Sequence, residues 1–226
     1  VQLGIQAAAS VFLQRIGQHE KISYLVLSNN INMVISIIPV LTIIQTESKR
    51  KEIFPMRDMK IRKMVLAALM AALTYVATMV VQIPSPMQGY VNLGDCCVLL
   101  SGWILGPWWG GAAAGIGSML TDLLNGYAHY APGTLVIKAL DAMAAALIVK
   151  ALGRKPYAYV VGGVVGELIM VAGYFGYACL LLGKGIGAAA SIPGNLVQGA
   201  MGLVIGLVLF VLLKRSKALD KLNIQW

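Results

Sequence analysis

The scarcity of charge between Val65 and Leu213, a nearly continuous apolar stretch, is the strongest constraint on how this chain folds. Burying a charged side chain at the centre of a lipid bilayer costs about 2.5 kcal/mol or more, so such residues usually face a bundle interior or a water-filled cavity. The ionisable residues inside the apolar segments are therefore the first candidates for function. They are Asp95, Asp122, Lys138, Asp141 and Glu167.

Composition places the chain among polytopic membrane proteins. It is 58% hydrophobic and 12% charged, with a mean hydropathy of +0.77, whereas soluble domains contain about 25% charged residues. The net charge of +9 does not indicate a nucleic-acid surface, because the basic residues cluster between the apolar segments. Cys96, Cys97 and Cys179 have neither a disulfide nor a metal-ligand spacing, so we expect no metal and no cofactor.

Apolar runs and their Gly or Pro interruptions predict an all-α integral membrane protein built as a six-helix bundle, at about 20 residues per span. The second and third spans are short, and the turn at Gly106 and Pro107 separates them. The predicted spans are Lys63 to Ile83, Leu93 to Leu105, Trp108 to Leu124, Thr134 to Leu152, Tyr157 to Leu182 and Ser191 to Leu213.

Basic residues predict the orientation, because Lys and Arg near span ends are retained in the cytoplasm. Clusters precede the first span, join the fourth to the fifth, and follow the sixth. The opposite loops carry Lys184 as their one basic residue. We therefore expect both ends of the six-span domain to be cytoplasmic.

The first 58 residues do not fit this pattern. The apolar segment from Ile31 to Gln45 is short for a span and contains Pro39. Residues 1–58 are either an upstream segment outside the working protein or a peripheral extra helix, and we assign them no function. The expected domains are this extension, a membrane domain over residues 59–217, and a cytoplasmic tail over 218–226.

Small residues recur at four-residue spacing on several spans, as at Gly111 and Gly115 or Gly202 and Gly206. Such spacing lets helix backbones approach closely in lipid. For the glycine pairs we expect packing inside the bundle.

Polar residues of different spans are predicted to converge at a similar depth in the outer half of the bundle. Amides and carboxylates there would form hydrogen bonds, and tyrosine rings would stack on a ligand. The predicted pocket residues are Asp122, Asn125, Tyr127, Lys138, Glu167, Tyr174, Asn195 and Gln198.

Structural roles compete with this interpretation. Lys138 with Asp141 or Asp122 is alternatively an ion pair that locks helices together. Glu167 is alternatively a neutral, hydrogen-bonded acid between helices, and Asp95 a cap of the second helix.

An ordered set of motifs runs along the predicted spans. The motifs are Asn92-Leu93-Gly94-Asp95, Leu105-Gly106-Pro107, Asp122-Leu123-Leu124-Asn125-Gly126-Tyr127, Ala131-Pro132-Gly133-Thr134, Lys138, Gly166-Glu167, Gly173-Tyr174 and Pro193-Gly194-Asn195-Leu196-Val197-Gln198. This set, which covers roughly Met59 to Lys217, resembles the substrate-binding S component of energy-coupling factor (ECF) vitamin transporters, in the subgroup for riboflavin and for hydroxymethylpyrimidine or related precursors.

The resemblance implies a subunit that binds a hydroxymethylpyrimidine, pyridoxine-like or riboflavin ligand at the outer face of a bacterial plasma membrane. The resemblance also implies a transmembrane T component and two cytoplasmic ATPases as partners. The chain sequence contains no Walker-type loop, so any ATP hydrolysis must be supplied by a partner. The family's small-residue docking motif matches four positions of the first span. They are Ala67, Ala68, Ala71 and Ala72.

Two other classes of function remain at this level. A self-contained proton-coupled carrier would use Asp122, Asp141 and Glu167 as a relay, although matching Gly/Pro-interrupted helices in two halves are not evident. An intramembrane enzyme is disfavoured because the sequence has neither a His-Glu-x-x-His helix nor a Gly-x-Ser-x-Gly elbow. We therefore expect no enzymatic activity.

Overall fold

The structure is a computed structural model that describes residues 59–80, 82–85, 89–217 and 219. The predicted extension over 1–58, with its apolar segment 31–45, lies outside the described residues, as does the predicted tail apart from Leu219. Within the described part, five helical segments are long and apolar enough to cross a membrane.

The described chain is predominantly helical. The predicted spans agree with these helices to within a few residues at most ends. In chain order the elements are α1 (Met59–Val80), β1 (Gln82–Ser85), β2 (Gly89–Asn92), α2 (Gly94–Leu124), α3 (Ala131–Ala151), α4 (Pro156–Gly176), a π-helical turn (Tyr177–Leu181), a 3-10 helix (Gly185–Ser191) and α5 (Ile192–Arg215).

Helix α2 reverses direction at Gly106. This residue has φ 82° and ψ −178°, a conformation that glycine adopts without a Cβ penalty, and Pro107 cannot continue the hydrogen-bond ladder. The backbone of Gly110 then lies against Ser101 and Gly102, which in an uninterrupted helix would be more than two turns away. The two halves of α2, residues 94–105 and 107–124, therefore run back along each other.

The first half of α2 is about 12 residues long and rises only roughly 18 Å, well short of the roughly 30 Å hydrocarbon core. A short hairpin lies before it, with Gln82 opposite Asn92 and Ser85 opposite Gly89 in an antiparallel register. The sequence pattern predicts only a loop here. The end of the bundle that carries these strands is called the hairpin end below.

Glycines bring the helices into close contact, as the four-residue spacing predicts. Gly111 and Gly115 lie against the side of α3 at Met143 and Leu135. Gly202 and Gly206 of α5 lie against the first half of α2, where Asp95 and Cys96 begin that helix. These pairs serve internal packing.

An apolar core fills the bundle toward the end opposite the hairpin. It includes the buried residues Leu99, Trp103, Val149 and Phe210. The Trp103 ring packs edge-on against Phe210, with 5.7 Å between ring centroids. The buried charges consequently collect in the half of the bundle nearer the hairpin.

Candidate functional site

Five buried polar side chains from four helices meet below the hairpin. None of them is more than 6% exposed. Asp95 begins α2, Lys138 and Asp141 stand one turn apart on α3, Glu167 lies midway along α4, and Gln198 is in the second turn of α5.

Asp95 is the centre of this polar cluster. One carboxylate oxygen pairs with the Lys138 ammonium, and the other accepts a hydrogen bond from Gln198 Nε2 at 2.8 Å. Gln198 Oε1 in turn accepts the backbone N–H of Asn92 at 2.9 Å. The network therefore ties α2, α3 and α5 to the end of the hairpin.

The alternative ion pair of Lys138 with Asp141 or Asp122 is wrong, because Lys138 pairs with Asp95. The capping role for Asp95 is also wrong, since its carboxylate bonds to Lys138 and Gln198. Asn92 instead serves the helix start, and its Oδ1 accepts the Gly94 N–H at 2.8 Å. Asp95 is thus missing from the predicted pocket residues, although its position in an apolar run had marked it as a candidate.

Asp141 and Glu167 face Asp95. One carboxylate oxygen from each of the three residues lies within 4.8 Å of the others. Among the described residues, the oxygens of Asp141 and Glu167 have no hydrogen-bond partner. A hydrogen bond between any two of these groups requires that one of them carry a proton.

Two glycines of α5 make room for Glu167. A Cβ atom at Gly199 would lie 2.9 Å from Glu167 Oε2, and one at Gly202 would lie 3.2 Å from Oε1. Gly166 of α4 similarly stands against Asp141, with 3.0 Å between a Cβ there and the Asp141 carbonyl oxygen. The carboxyl groups therefore sit directly on helix backbones.

A second polar group lies between this cluster and the loop after α2. Thr134 donates a hydrogen bond to Asp122 Oδ2 at 2.5 Å, and the Tyr174 hydroxyl donates to Thr134 Oγ1 at 3.0 Å. The Lys138 ammonium lies 5.6 Å from the centre of the Tyr174 ring. Lys138 and Tyr174 therefore connect the two groups.

Aromatic side chains form a connected group with Tyr174 at the hairpin end. The Tyr130 ring centroid lies 6.5 Å from that of Tyr174 and 6.2 Å from that of Tyr177. His129 stands 4.8 Å from Tyr130 and 6.3 Å from Tyr127. These five residues form an aromatic cluster, of which Tyr127 and Tyr174 were among the predicted pocket residues.

Bonds across the loops hold the aromatic cluster together. The Tyr177 hydroxyl donates to the His129 carbonyl oxygen at 2.8 Å. Lys184 Nζ donates to the Tyr130 hydroxyl at 2.9 Å and stands 5.0 Å from the centre of its ring. Tyr130 and Lys184 are absent from the predicted pocket residues, although Tyr127 of the same loop as Tyr130 is among them.

The two predicted asparagines are half-buried. Asn125 ends α2, and its Nδ2 is buried without a hydrogen-bond partner among the described residues. Asn195 precedes Gln198 by three residues on α5 and takes part in none of the contacts above.

Of the eight predicted pocket residues, Lys138, Glu167 and Gln198 join the polar cluster, whereas Asp122 and Tyr174 are linked by hydrogen bonds through Thr134.

An apolar groove of about 620 Å³ runs between α1 and the second half of α2. All four predicted docking alanines line it. Ala67 is buried in a cluster with Leu105 and Ala113, whereas Ala68 and Ala72 are exposed. The lining residues are Met64, Ala67, Ala68, Ala71, Ala72, Tyr75, Trp109, Ala112, Ala113, Ile116, Leu120 and Leu124.

Residues 58–215 match the family model of the ECF-type riboflavin transporter S component. The chain belongs to this family of S components. The match begins next to Met59 and ends with α5, so it includes all the helices described above. The family is one of transporter subunits and not of enzymes.

Other comparisons agree with this assignment. The S component is 28% identical over 167 residues to the thiamine precursor transporter HmpT of Lactococcus lactis subsp. cremoris (strain MG1363), covering 73% of this chain and 95% of that one. It is 40% identical over 142 residues to an "uncharacterized protein in gap 3'region" of Pyrococcus woesei, covering 62% and 93%.

A solved structure shares the fold. The S component superposes on a chain from a study entitled "Structure and mechanism of the S component of a bacterial ECF transporter" with a TM-score of 0.57 at 19% identity, covering 69% of this chain and 97% of that chain. The chain is thus a multi-pass membrane protein and an S component of an ECF transporter.

Proposed function

We propose that this S component captures a small heteroaromatic vitamin or vitamin precursor at its hairpin end, which faces the outside of a bacterial plasma membrane. A transmembrane T component and two cytoplasmic ATPases then drive uptake. The observation that carries this proposal is the aromatic cluster around the bonded group of Asp122, Thr134 and Tyr174. Flat rings for stacking beside a few oriented polar groups are what a small heteroaromatic compound requires.

The proposed pocket takes its stacking surfaces from Tyr127 and Tyr174. Asp122, Asn125 and Asn195 supply hydrogen bonds to the edge of the ligand ring. Lys138 lies beside the Tyr174 ring and contacts a ring nitrogen or a carbonyl oxygen of the ligand. Beneath the pocket, Gln198 donates a hydrogen bond to Asp95, which pairs with Lys138, and Glu167 lies beside Asp95 in the polar cluster.

Three ligand classes fit this chemistry, namely hydroxymethylpyrimidine, pyridoxine-like compounds and riboflavin. The similarity to a thiamine precursor transporter supports the pyrimidine, while the family description supports riboflavin. Mass spectrometry of the small molecule that co-purifies with the chain, followed by equilibrium binding of all three classes, identifies the ligand.

Binding to pocket variants tests the site. Replacing Tyr174 with Ala removes a stacking surface, and we expect about tenfold weaker binding of the vitamin. Tyr174→Phe keeps the ring and loses only the bond to Thr134, so its affinity stays closer to that of the native chain. Asn195→Ala and Lys138→Ala each remove a proposed hydrogen bond. Unchanged affinity in Tyr174→Ala, Asn195→Ala and Lys138→Ala would eliminate this pocket.

We further propose the six-span topology with both ends of the domain in the cytoplasm. The reversal at Gly106 supports it, because the two halves of α2 then act as separate spans. Basic residues at the start of α1, around the connection from α3 to α4, and at the end of α5 support the same orientation.

The groove between α1 and α2 is the proposed docking surface for the T component. Exposed small residues at Ala68 and Ala72 support this role, since small residues let transmembrane helices approach closely. Ala67 and Ala71 form the floor of the same groove.

A second candidate function is a self-contained proton-coupled carrier. The buried Asp141 and Glu167 carboxyls favour it, because proton relays use such groups. Uptake by the purified chain alone in proteoliposomes, driven by a pH gradient, would support this function. Uptake that depends on the ATPase partners would exclude it.

A further inference from the structure

The polar cluster contains more negative than positive charge. When ionised, Asp95, Asp141 and Glu167 carry three negative charges, and Lys138 supplies one positive charge. All four side chains are almost fully buried. Uncompensated buried charge is costly, so such groups are paired, protonated or bound to a metal.

The carboxylate oxygens without hydrogen-bond partners lie close together. Asp141 and Glu167 have no hydrogen-bond partner for any carboxylate oxygen among the described residues. They nevertheless lie with Asp95 inside a single group whose ligand atoms are within 4.8 Å of one another. Lys138 pairs with one carboxylate oxygen of Asp95, and Gln198 donates a hydrogen bond to the other.

The separation of the three carboxylate oxygens matches the coordination sphere of a single ion. Oxygen ligands stand about 2.0 to 2.6 Å from Mg²⁺ or Ca²⁺, so oxygens around one such ion lie within roughly 5 Å of each other. A separation of 4.8 Å or less suits a single atomic cation and leaves no room for a vitamin ring. Carboxylate oxygens favour hard cations over thiolate-preferring metals.

We propose that Asp95, Asp141 and Glu167 bind one hard metal cation, which locks α2, α3 and α4 together beneath the vitamin pocket. This site is separate from the aromatic cluster, and it differs from the sequence-based expectation of no metal. Gly166, Gly199 and Gly202 serve the site by leaving space for the carboxylates beside the helix backbones.

Thermal unfolding of the purified full chain in detergent tests the proposal without any vitamin. The chain is treated with chelator, exchanged into choline chloride, and titrated separately with Na⁺, Mg²⁺ and Ca²⁺ at constant ionic strength. We expect a saturable rise in Tm with at least one cation, of about 5 to 10 °C at 100 times its Kd. Elemental analysis should find one bound ion per chain for a divalent cation.

Matched carboxylate-to-amide variants locate the effect. Glu167→Gln and Asp141→Asn should each abolish the cation-dependent rise in Tm. Because each variant removes a buried negative charge, the chain should stay folded without the ion. Asp122→Asn, a change of the same type outside the site, should keep the rise.

Absence of a saturable rise with all three cations would overturn the proposal and leave a shared proton as the compensation. A rise that persists in both Glu167→Gln and Asp141→Asn would overturn it equally. Because no vitamin is present, these results are independent of the proposed transport function, whose own test is vitamin binding.

Discussion

Asp95 and Lys138 are the buried charges whose pairing organises the polar cluster. Removing one member of a buried ion pair is far more costly than removing both, because the remaining charge stays desolvated. At this site, Asp141 also lies close to Asp95, so its carboxylate would partly compensate Lys138 in the absence of Asp95.

We predict that Asp95→Asn destabilises the chain by about 3 kcal/mol, the lower end of the usual range for a broken buried pair. The double variant Asp95→Asn with Lys138→Met should recover most of that loss, because no unpaired ammonium remains and a bound cation or a proton still compensates Asp141 and Glu167. Reversible unfolding in mixed detergent measures both free energies of unfolding. A double variant no more stable than Asp95→Asn would contradict the prediction.

The sequence identifies the buried charges, but the ion pair that it offers as an alternative, Lys138 with Asp141 or Asp122, is not the observed one. Spacing of three residues suggested Asp141 for Lys138, since such residues share a helix face. The observed partner lies 43 residues earlier in the chain. Side-chain direction across a helix interface depends on how the helices rotate against each other, and no local pattern in the sequence encodes that rotation.

The reversal in α2 is the feature that matters most among the individual elements. Gly106 has a positive φ, and any residue with a Cβ is strained there. The short predicted spans on either side of Gly106 and Pro107 indicate this break from the sequence alone.

We predict that Gly106→Ala lowers the free energy of unfolding by about 1 to 3 kcal/mol, the cost of a residue held in a disfavoured backbone region. Gly176→Ala is the matched control, because Gly176 has a helical φ of −61° and a Cβ there meets nothing within 4 Å. The control should be neutral or slightly stabilising. Equal stability of the two variants would argue against strain at Gly106.

Helix positions were predictable from the sequence to within a few residues, because an apolar span is a local property that the bilayer imposes. The hairpin was missed. Its strands are four residues each, and their pairing depends on a partner strand and not on periodicity within either segment.

At the scale of the whole molecule, the proposed docking groove and the proposed vitamin pocket lie at different places. The alanines line the groove between α1 and α2, whereas the aromatic cluster lies in the loop before α3 and at the end of α4. Changes in one surface should therefore leave the other intact.

We predict that Ala72→Leu, which fills the groove, weakens assembly with the T component and the ATPases by about tenfold. Vitamin binding by the isolated chain should be unchanged. Ala172→Leu makes the same substitution at an exposed position of α4 outside the groove and should assemble normally. Co-purification of the complex from membranes measures assembly, and normal assembly of Ala72→Leu would remove the groove as the docking surface.

The sequence by itself determined the membrane class, the approximate spans, the break at Gly106 and the buried charged residues, because each follows from local hydropathy or backbone chemistry. The tertiary structure alone decided that Asp95 pairs with Lys138 and accepts a hydrogen bond from Gln198. It also decided that Asp141 and Glu167 lie near Asp95 without hydrogen-bond partners among the described residues. Those contacts join residues 43 and 103 positions apart. They arise only when glycine-lined helices pack closely enough to bring separate charges into one small volume.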